Sequence, residues 1–524
     1  MIKRNMWTKI KKKNIPKERR LIGSKWVMKV KKNGVYRARL VALGYSQIPG
    51  VDFSENFAPV INDVTLRIIL VMWIVKKWHA EIIDVETAFL YGDLEEEIYL
   101  KIPDGLQEIK GNADKNEDCL LLNHALYGLV QAARSWWLKL TTTLLTLGFC
   151  RCKIDPCLLI RTTDDKTVIF CIYVDDVCCV GDKEEVKEAI EEVKKIYDIK
   201  YVGELREYVG VTIEKNNDGS VDLSQPDSIK LLELKFKEDV KKMKIFKSPA
   251  ASSDVVMRPK SEEEKMKEDL QQKYRSGVGM LLWLTKHSHP DIANAVREAS
   301  KVMDGATLAH FKYMLRIVKY VIDTRERKLH LNPDNEKEKW KLKAFSDSDF
   351  SGDRDTRKSV SGFIIYFMGA PVAWRSRSQR SVTLSSTEAE YVAVSEVATE
   401  IIFTRNLLEF LKLQIEYPID VYVDNIGAIY LAENATSSTR TKHVDTRYHY
   451  VRDYVEDKTI AIHFVRSEKN DSDIFTKNLQ SSLHTEHSEK FMTEIHQLRN
   501  RKGVKNMSLN IPVIEEIEKG GKSE

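Results

Sequence analysis

The sequence predicts a multidomain chain of mixed α+β / α/β architecture. Three observations predict this. A chain of 524 residues exceeds one ordinary core, and three or four domains are expected. Two short apolar runs, Val168–Val174 and Val177–Val180, are parted only by Asp175 and Asp176 and read as a buried β-hairpin. Beyond Trp340 the order becomes strand, hairpin, strand, helix, strand, helix, strand, helix, which describes a mixed sheet with helices packed on it.

The elements follow in chain order. A strand-like apolar stretch leads into Asp84. Lys183 to Tyr197 is a charged amphipathic helix, with Val186, Ile190, Val193 and Ile196 on one face. Tyr208 to Ile213 reads as a strand with alternate exposure, and Gly219 with Val221–Gln225 as a hairpin return. Residues 248–272, polar and rich in lysine and glutamate with Pro249 and Pro259, read as a linker. Tyr274 to Thr324 is helical in pattern. In the last part, Gly362–Met368 and Pro371–Arg375 are hairpin arms and Val382–Leu384 a third strand. Tyr391–Leu411 is a long helix, and Val421–Val423 and Ile460–Val465 are later strands. The tail after Arg499 is polar and is expected to be poorly ordered.

Composition narrows the class. With 43% hydrophobic residues the chain buries cores and is not a disordered one. Net charge is only +5, but residues 1–40 hold 15 Lys and Arg against one acidic residue, Glu18. Such a lead-in is either a solvated face or a surface for a nucleic-acid backbone. Seven cysteines form no disulfide framework, and Cys150, Cys152 and Cys157 lack a fourth ligand at zinc spacing, so free thiols in a reducing compartment are expected. No signal peptide is visible, and the longest apolar run, Ile68–Val75, is too short to span a membrane. There is no P-loop and no zinc knuckle.

The chemistry centres on Tyr173-Val174-Asp175-Asp176. Adjacent carboxylates repel each other and are costly against a buried sheet. A divalent cation removes both penalties, so the pair suggests a Mg²⁺ site for phosphoryl transfer; the plainer alternative is an acidic, solvated turn. The surroundings favour the first. Asp84 lies within Ala80–Leu94, and Leu126-Tyr127-Gly128-Leu129-Val130-Gln131-Ala132-Ala133-Arg134-Ser135-Trp136 lies between the two sites. Upstream stand Lys25-Trp26-Val27-Met28-Lys29, Arg37-Ala38-Arg39-Leu40-Val41-Ala42, Gly44-Tyr45-Ser46-Gln47 and Phe57-Ala58-Pro59-Val60. With these landmarks in order, the chain resembles the reverse transcriptase and RNase H portion of the Pol polyprotein of copia-type long-terminal-repeat retrotransposons (Pseudoviridae), over roughly residues 7–480.

The resemblance implies a right-hand polymerase fold followed by an RNase H-like mixed-sheet domain. Fingers and palm would occupy residues 1–182, and the end of the palm with a thumb-like region 183–247. A linker and helical connection region would take 248–335, the RNase H-like domain 336–480, and a polar tail 481–524. It implies an RNA-directed DNA polymerase that also hydrolyses the RNA strand of RNA–DNA hybrids. Asp84 and Asp175 would be the principal metal ligands of the first site, with Asp176 in support. Two Mg²⁺ ions per site, replaceable by Mn²⁺, would sit about 4 Å apart. Asp93, Glu95, Glu96 and Glu97 crowd a helix start or turn and are left outside the site. Phe89, five residues after Asp84, would lie under the sugar of the incoming nucleotide and exclude a 2′-hydroxyl; otherwise it is ordinary core. Gln131 would touch the sugar or template, with Ala133 in place of the family's usual proline. Arg37 and Arg39 are candidates for the triphosphate. The family's Arg-Pro-Asp is here His289-Pro290-Asp291, a departure expected to weaken one phosphate contact.

For the second site the resemblance implies a metal-binding quartet of Asp347, Glu388, Asp424 and Asp473. Each has a structural alternative: Thr387 and Glu390 fit a capping box, and Asp471 and Asp473 suit a helix N-terminus. Asp349 and Glu390 are near neighbours left outside the quartet. His443 would sit by the scissile strand or cap a loop. Expected partners are an RNA template, a DNA primer, RNA–DNA hybrid, deoxynucleoside triphosphates and other parts of the polyprotein, with no membrane. The expected location is intracellular, in the cytoplasm or in virus-like particles. Gag, protease and integrase sequences are missing, so a truncated element, a processed fragment or a separate reading frame is expected. The rival class is a decayed or adopted element that binds nucleic acid without catalysis.

Overall fold

The computed structural model describes residues 4–30, 34–106, 114–334, 339–434 and 448–493. The expectations for His443 and for the tail after Arg499 lie outside these residues. The chain opens with β1 (Trp7–Lys11), β2 (Leu21–Ile22), β3 (Ser24–Val30), β4 (Tyr36–Ala42), α1 (Asp63–Lys76) and β5 (His79–Val85). A helix without a polar face must be buried, and α1 is buried from Val64 to Trp73. Asn62 caps it, accepting from the Val64 amide at 2.9 Å. Then come a 3₁₀ turn (Ala88–Tyr91), β6 (Tyr99–Leu100), β7 (Asp118–Leu122) and α2 (Ala132–Thr146). β3 and β4 form a hairpin, and a small sheet has the order β1-β7-β6-β2.

The next segment completes a six-stranded sheet with β8 (Cys150–Arg151), β9 (Leu158–Thr163), β10 (Lys166–Tyr173), β11 (Asp176–Gly181), α3 (Lys183–Lys194) and β12 (Ile199–Glu204). Its order is β12-β5-β11-β10-β9-β8. The β10–β11 hairpin differs from expectation by one residue. Its turn is Val174-Asp175, and Asp176 already pairs with Tyr173. α3 buries Val186, Ile190 and Val193 as its spacing predicts. Ile196 is a correction: it is 47% exposed, because the helix ends before it and Tyr197 turns inward instead.

β13 (Glu207–Tyr208), β14 (Val211–Lys215) and β15 (Val221–Ser224) replace the continuous strand expected at Tyr208–Ile213. Val209 (φ 53°) and Gly210 (φ 69°) both take left-handed backbone and turn the chain between β13 and β14. Helices α4 (Pro226–Val240), α5 (Glu268–His287), α6 (Ala293–Ser300) and α7 (Leu308–Asp323) share one apolar cluster. α4 belongs to that cluster, so a boundary at 247/248 would cut through a core. β16 (Leu329–Leu331) then returns to pair with β15.

The last unit contains β17 (Leu342–Asp349), β18 (Val360–Phe367), β19 (Ala370–Ser378), α8 (Ser386–Phe410), β20 (Ile419–Val423), α9 (Ile426–Glu433), α10 (Val451–Glu456), β21 (Ile460–Phe464) and α11 (Ser481–Ser488). Its sheet has the order β19-β18-β17-β20-β21, with β20 parallel to both neighbours. Val382–Leu384 forms no strand: Val382 is 48% and Leu384 69% exposed, in the loop ahead of α8. One apolar cluster runs without a break from the six-stranded sheet into the five-stranded one. All seven cysteines are unpaired. Among the described residues no helix is long and apolar enough to cross a membrane.

Candidate active sites

The first acidic cluster lies at adjoining ends of β5 and β11. Their register sets Asp176 directly opposite Asp84, so both side chains stand on one face of the sheet. Asp175 is held by its backbone: its carbonyl accepts from the Val85 amide at 3.0 Å. Val174 adopts φ 59°, a costly conformation for a β-branched residue. The indole of buried Trp136 donates to the Val174 carbonyl at 2.7 Å and helps hold that turn. Burial, and then the charge of Asp175, raises the Asp84 carboxyl, while Lys200 across the strand opposes the shift. Burial, followed by Asp175 and Asp84, pushes Asp176 up to about 6. Carboxylates crowded in this way repel one another when ionised, and a hard divalent cation would relieve that repulsion.

The other predicted residues of this site are distributed around Tyr127. Phe89 is half-buried in the 3₁₀ turn, 5.0 Å from the Tyr127 ring. The Arg39 guanidinium lies over the same Tyr127 ring, 4.7 Å from its centroid. Arg37 is exposed, and its charge reaches Asp84. Gln131 is a correction. It is 4% exposed, and its amide is engaged by Gln47 at 2.9 Å and the Asp52 carbonyl at 2.9 Å. It braces the loop and is not presented to a sugar. Tyr127, Trp136 and Lys200 were not singled out from sequence; Tyr127 and Trp136 lie in the quoted motif, whereas nothing marked Lys200.

The basic lead-in is also corrected in part. Lys11 bridges Glu117 and Asp118, each at 2.9 Å. Arg4 pairs with Asp198, and Lys12 donates to the Lys115 carbonyl at 2.6 Å. Two of its cations, Arg4 and Lys11, are thus paired with carboxylates inside the molecule. His289 is 1% and Asp291 2% exposed, so they serve a buried network with Tyr320 and Arg327 and not a phosphate contact.

The second cluster is tighter. Ligand atoms of Asp347, Asp424 and Asp473 all lie within 4.8 Å of one another. Among the described residues, the first trio does not converge as closely. Parallel pairing of β17 with β20 brings Asp347 and Asp424 to the same sheet end. Gly362 faces Asp347 across β18. A Cβ there would come within 2.6 Å of Thr476 and 2.8 Å of Phe475, so the missing side chain lets the Asp473 turn settle on the sheet. Thr476 donates its hydroxyl to Asp347. The Lys477 ammonium lies 3.0 Å from Asp473 and 3.7 Å from Asp347. Burial, and then Asp347, pushes Asp473 up to about 7. A lysine cation bridging buried acids shows that the pocket favours positive charge.

Glu388 does not join this cluster. Its carboxylate accepts from the Leu384 amide at 2.7 Å, and its own amide donates to Ser385 at 3.1 Å. The helix cap is therefore Ser385 with Glu388, not Thr387 with Glu390. Glu390 takes the place beside the aspartates. It is 5% exposed, accepts from the Ser348 amide at 3.0 Å, and is pushed well up by burial and then by Asp347 and Asp424. Two residues along a helix turn a side chain through about 200°, so only one of the pair can face the sheet.

Comparison with known proteins adds what the chain is similar to. Residues 4–239 match the model described as reverse transcriptase (RNA-dependent DNA polymerase). The chain is 34% identical over 475 residues to the retrovirus-related Pol polyprotein from transposon TNT 1-94 of Nicotiana tabacum, covering 88% of this chain and 35% of that protein. It is 32% identical over 465 residues to the polyprotein from transposon RE1 of Arabidopsis thaliana, with 88% and 31% covered. It thus spans about a third of the length of these plant relatives. A solved foamy viral protease-reverse transcriptase in complex with dsDNA covers 88% of this chain and 78% of its own, at 14% identity and a TM-score of 0.19. That score is too low to bear on the arrangement of the units.

Proposed function

We propose that this chain, whose residues 4–239 match the model described as reverse transcriptase (RNA-dependent DNA polymerase), copies RNA into DNA at Asp84, Asp175 and Asp176 and hydrolyses the RNA strand of RNA–DNA hybrids in its last unit. The observation that carries the first activity is the register of β5 and β11, which sets Asp84 and Asp176 face to face with Asp175 beside them. The second is supported by the buried convergence of Asp347, Asp424 and Asp473. We assign the fourth carboxylate of that set to Glu390 in place of Glu388.

In this scheme the six-stranded sheet is the palm, the β3–β4 hairpin belongs to the fingers, and the five-stranded sheet is the RNase H-like domain. Both carboxylate sets would hold divalent cations, which when bound would supply Lewis-acid stabilisation of the phosphoryl group under attack, the α-phosphate of a nucleoside triphosphate at the first site and a phosphodiester at the second. The remaining work falls to the chain's own groups. Arg39 and Arg37 bind and orient the triphosphate. Phe89, held against Tyr127, excludes a ribose 2′-hydroxyl. Lys477 and Thr476 orient Asp347 and Asp473. RNA template, DNA primer, their hybrid and deoxynucleoside triphosphates are the substrates.

The test is extension of a DNA primer on an RNA template by the purified protein with Mg²⁺, and release of RNA fragments from a labelled hybrid. Asp175→Asn should abolish extension and spare cleavage, whereas Asp347→Asn should do the reverse. Tight binding of primer–template with neither activity in Mg²⁺ or Mn²⁺ would replace this scheme with a nucleic-acid-binding remnant.

A further inference from the structure

Arg67 is an odd residue for its place. It lies in the second turn of α1, on a buried stretch that is apolar apart from Thr65, and is itself 6% exposed. Its hydrogen bonds leave the unit to which it belongs. Nε donates to the Val372 carbonyl on β19 at 2.6 Å, and a terminal nitrogen donates to the Lys286 carbonyl at the end of α5 at 3.3 Å. The guanidinium lies 4.1 Å from the centroid of the Trp374 ring. That indole in turn donates to the Thr285 carbonyl at 2.9 Å. One turn before Arg67, Asp63 pairs with Lys286 at 3.0 Å and His287 at 3.1 Å. Three parts of the chain therefore close on one planar cation: the helix behind the six-stranded sheet, the end of the helical unit, and the edge of the five-stranded sheet.

A buried guanidinium is held in place by its partners. Leaving it or those carbonyls without hydrogen bonds is unfavourable, so the joint has one well-satisfied geometry. The neighbours of Arg67 in the chain, Leu66 and Ile68, belong to the apolar cluster that continues between the two sheets. We propose that Arg67 is a positioning residue that fixes the five-stranded unit on the six-stranded unit, so that the two acidic clusters engage one bound duplex at a constant separation. This rests on the two-site function above. Its chemical consequence is that cuts in the RNA strand fall at a set distance behind the primer's 3′ end.

The test uses the full chain with Arg67→Met, which keeps an unbranched stem and removes the fork. On an RNA annealed to a recessed DNA primer, the wild-type protein should cut within a narrow band of positions. Arg67→Met should spread the cuts over neighbouring positions, while total extension and total cleavage stay within about twofold. Trp374→Phe, which loses the bond to Thr285 and puts a smaller ring beneath the guanidinium, serves if Arg67→Met does not fold. A second readout needs no activity. With Cys150→Ser removing the exposed native thiol, spin labels at Glu188→Cys on α3 and Glu409→Cys on α8, both exposed, should report one narrow distance that broadens in Arg67→Met. An unchanged band of cuts or an unchanged distance in the folded variant overturns the joint. A broadened distance in a protein that neither extends nor cleaves keeps the joint and defeats the two-site function instead.

Discussion

Glu388 and Glu390 differ by two positions and by everything around them. Glu388 completes a helix cap, and Glu390 faces two aspartates from inside the protein. Glu390→Gln should therefore lower RNA cleavage by a hundredfold or more, on the order of several kcal/mol of lost transition-state stabilisation. Glu388→Gln can still accept from Leu384 and should leave both cleavage and stability within about 0.5 kcal/mol of wild type. A fluorescent hybrid-cleavage assay on the two variants separates them, and the opposite ranking would restore Glu388. From sequence the two were hard to distinguish, because Ser385, Ser386 and Thr387 each make a plausible cap and the choice among them rotates the whole helix. Phe89 was easier, since its spacing from Asp84 is short and fixed by a strand end. It is half-buried against Tyr127, so Phe89→Val should remain folded and reduce discrimination against ribonucleotides by on the order of tenfold or more. Unchanged discrimination in single-nucleotide insertion would make it a packing residue only.

At the scale of elements, what the sequence revealed best were long periodic runs and strands bounded by acids. The β10–β11 hairpin, α3, the helical unit and the β17–β18–β19 meander all follow from period and apolar content. The misses were short. Val382–Leu384 has strand-like residues but no partner, and Tyr208–Ile213 hides a turn because Val209 takes a left-handed backbone that valine seldom adopts. Nor could period alone reveal Gly362. Its importance comes from the turn after Asn470 lying on the sheet, a contact across more than a hundred residues of sequence. Gly362→Ala should overpack that contact and destabilise the last unit by about 1–3 kcal/mol. It should also displace Asp473 and lower RNA cleavage while leaving primer extension intact. Equal loss of both activities, with the fold preserved, would mean that the glycine acts on the whole molecule and not on the second cluster.

At the scale of the molecule, the proposed role of the two acidic clusters as cation sites predicts a shared dependence on pH and on divalent cations. Asp176, at about 6, and Asp473, at about 7, hold protons more tightly folded than unfolded. Their contribution to stability is fully present below about pH 4, the unfolded carboxylate value, and is lost as pH rises through 6 and 7. Asp63 has the opposite sign. Burial works to raise it, but His287 and Arg67 hold it down at about 2. Its contribution is present above about pH 4 and is lost as pH falls toward 2. The two windows do not overlap: between about pH 4 and 7 the clusters lower stability as pH rises, while His487, held down at about 4 by burial, works against them. A cation that binds the ionised carboxylates reverses their part of it. Saturating Mg²⁺ at about a hundred times its dissociation constant stabilises a site by about 2.7 kcal/mol. Thermal unfolding with Mg²⁺ and with EDTA should therefore differ little at pH 5 and clearly at pH 8. Asp176→Asn and Asp473→Asn should each raise the midpoint measured in EDTA at pH 8 and shrink the response to Mg²⁺. A Mg²⁺ response of the same size at both pH values would mean that the cation binds elsewhere, and neither carboxylate set would then be its site.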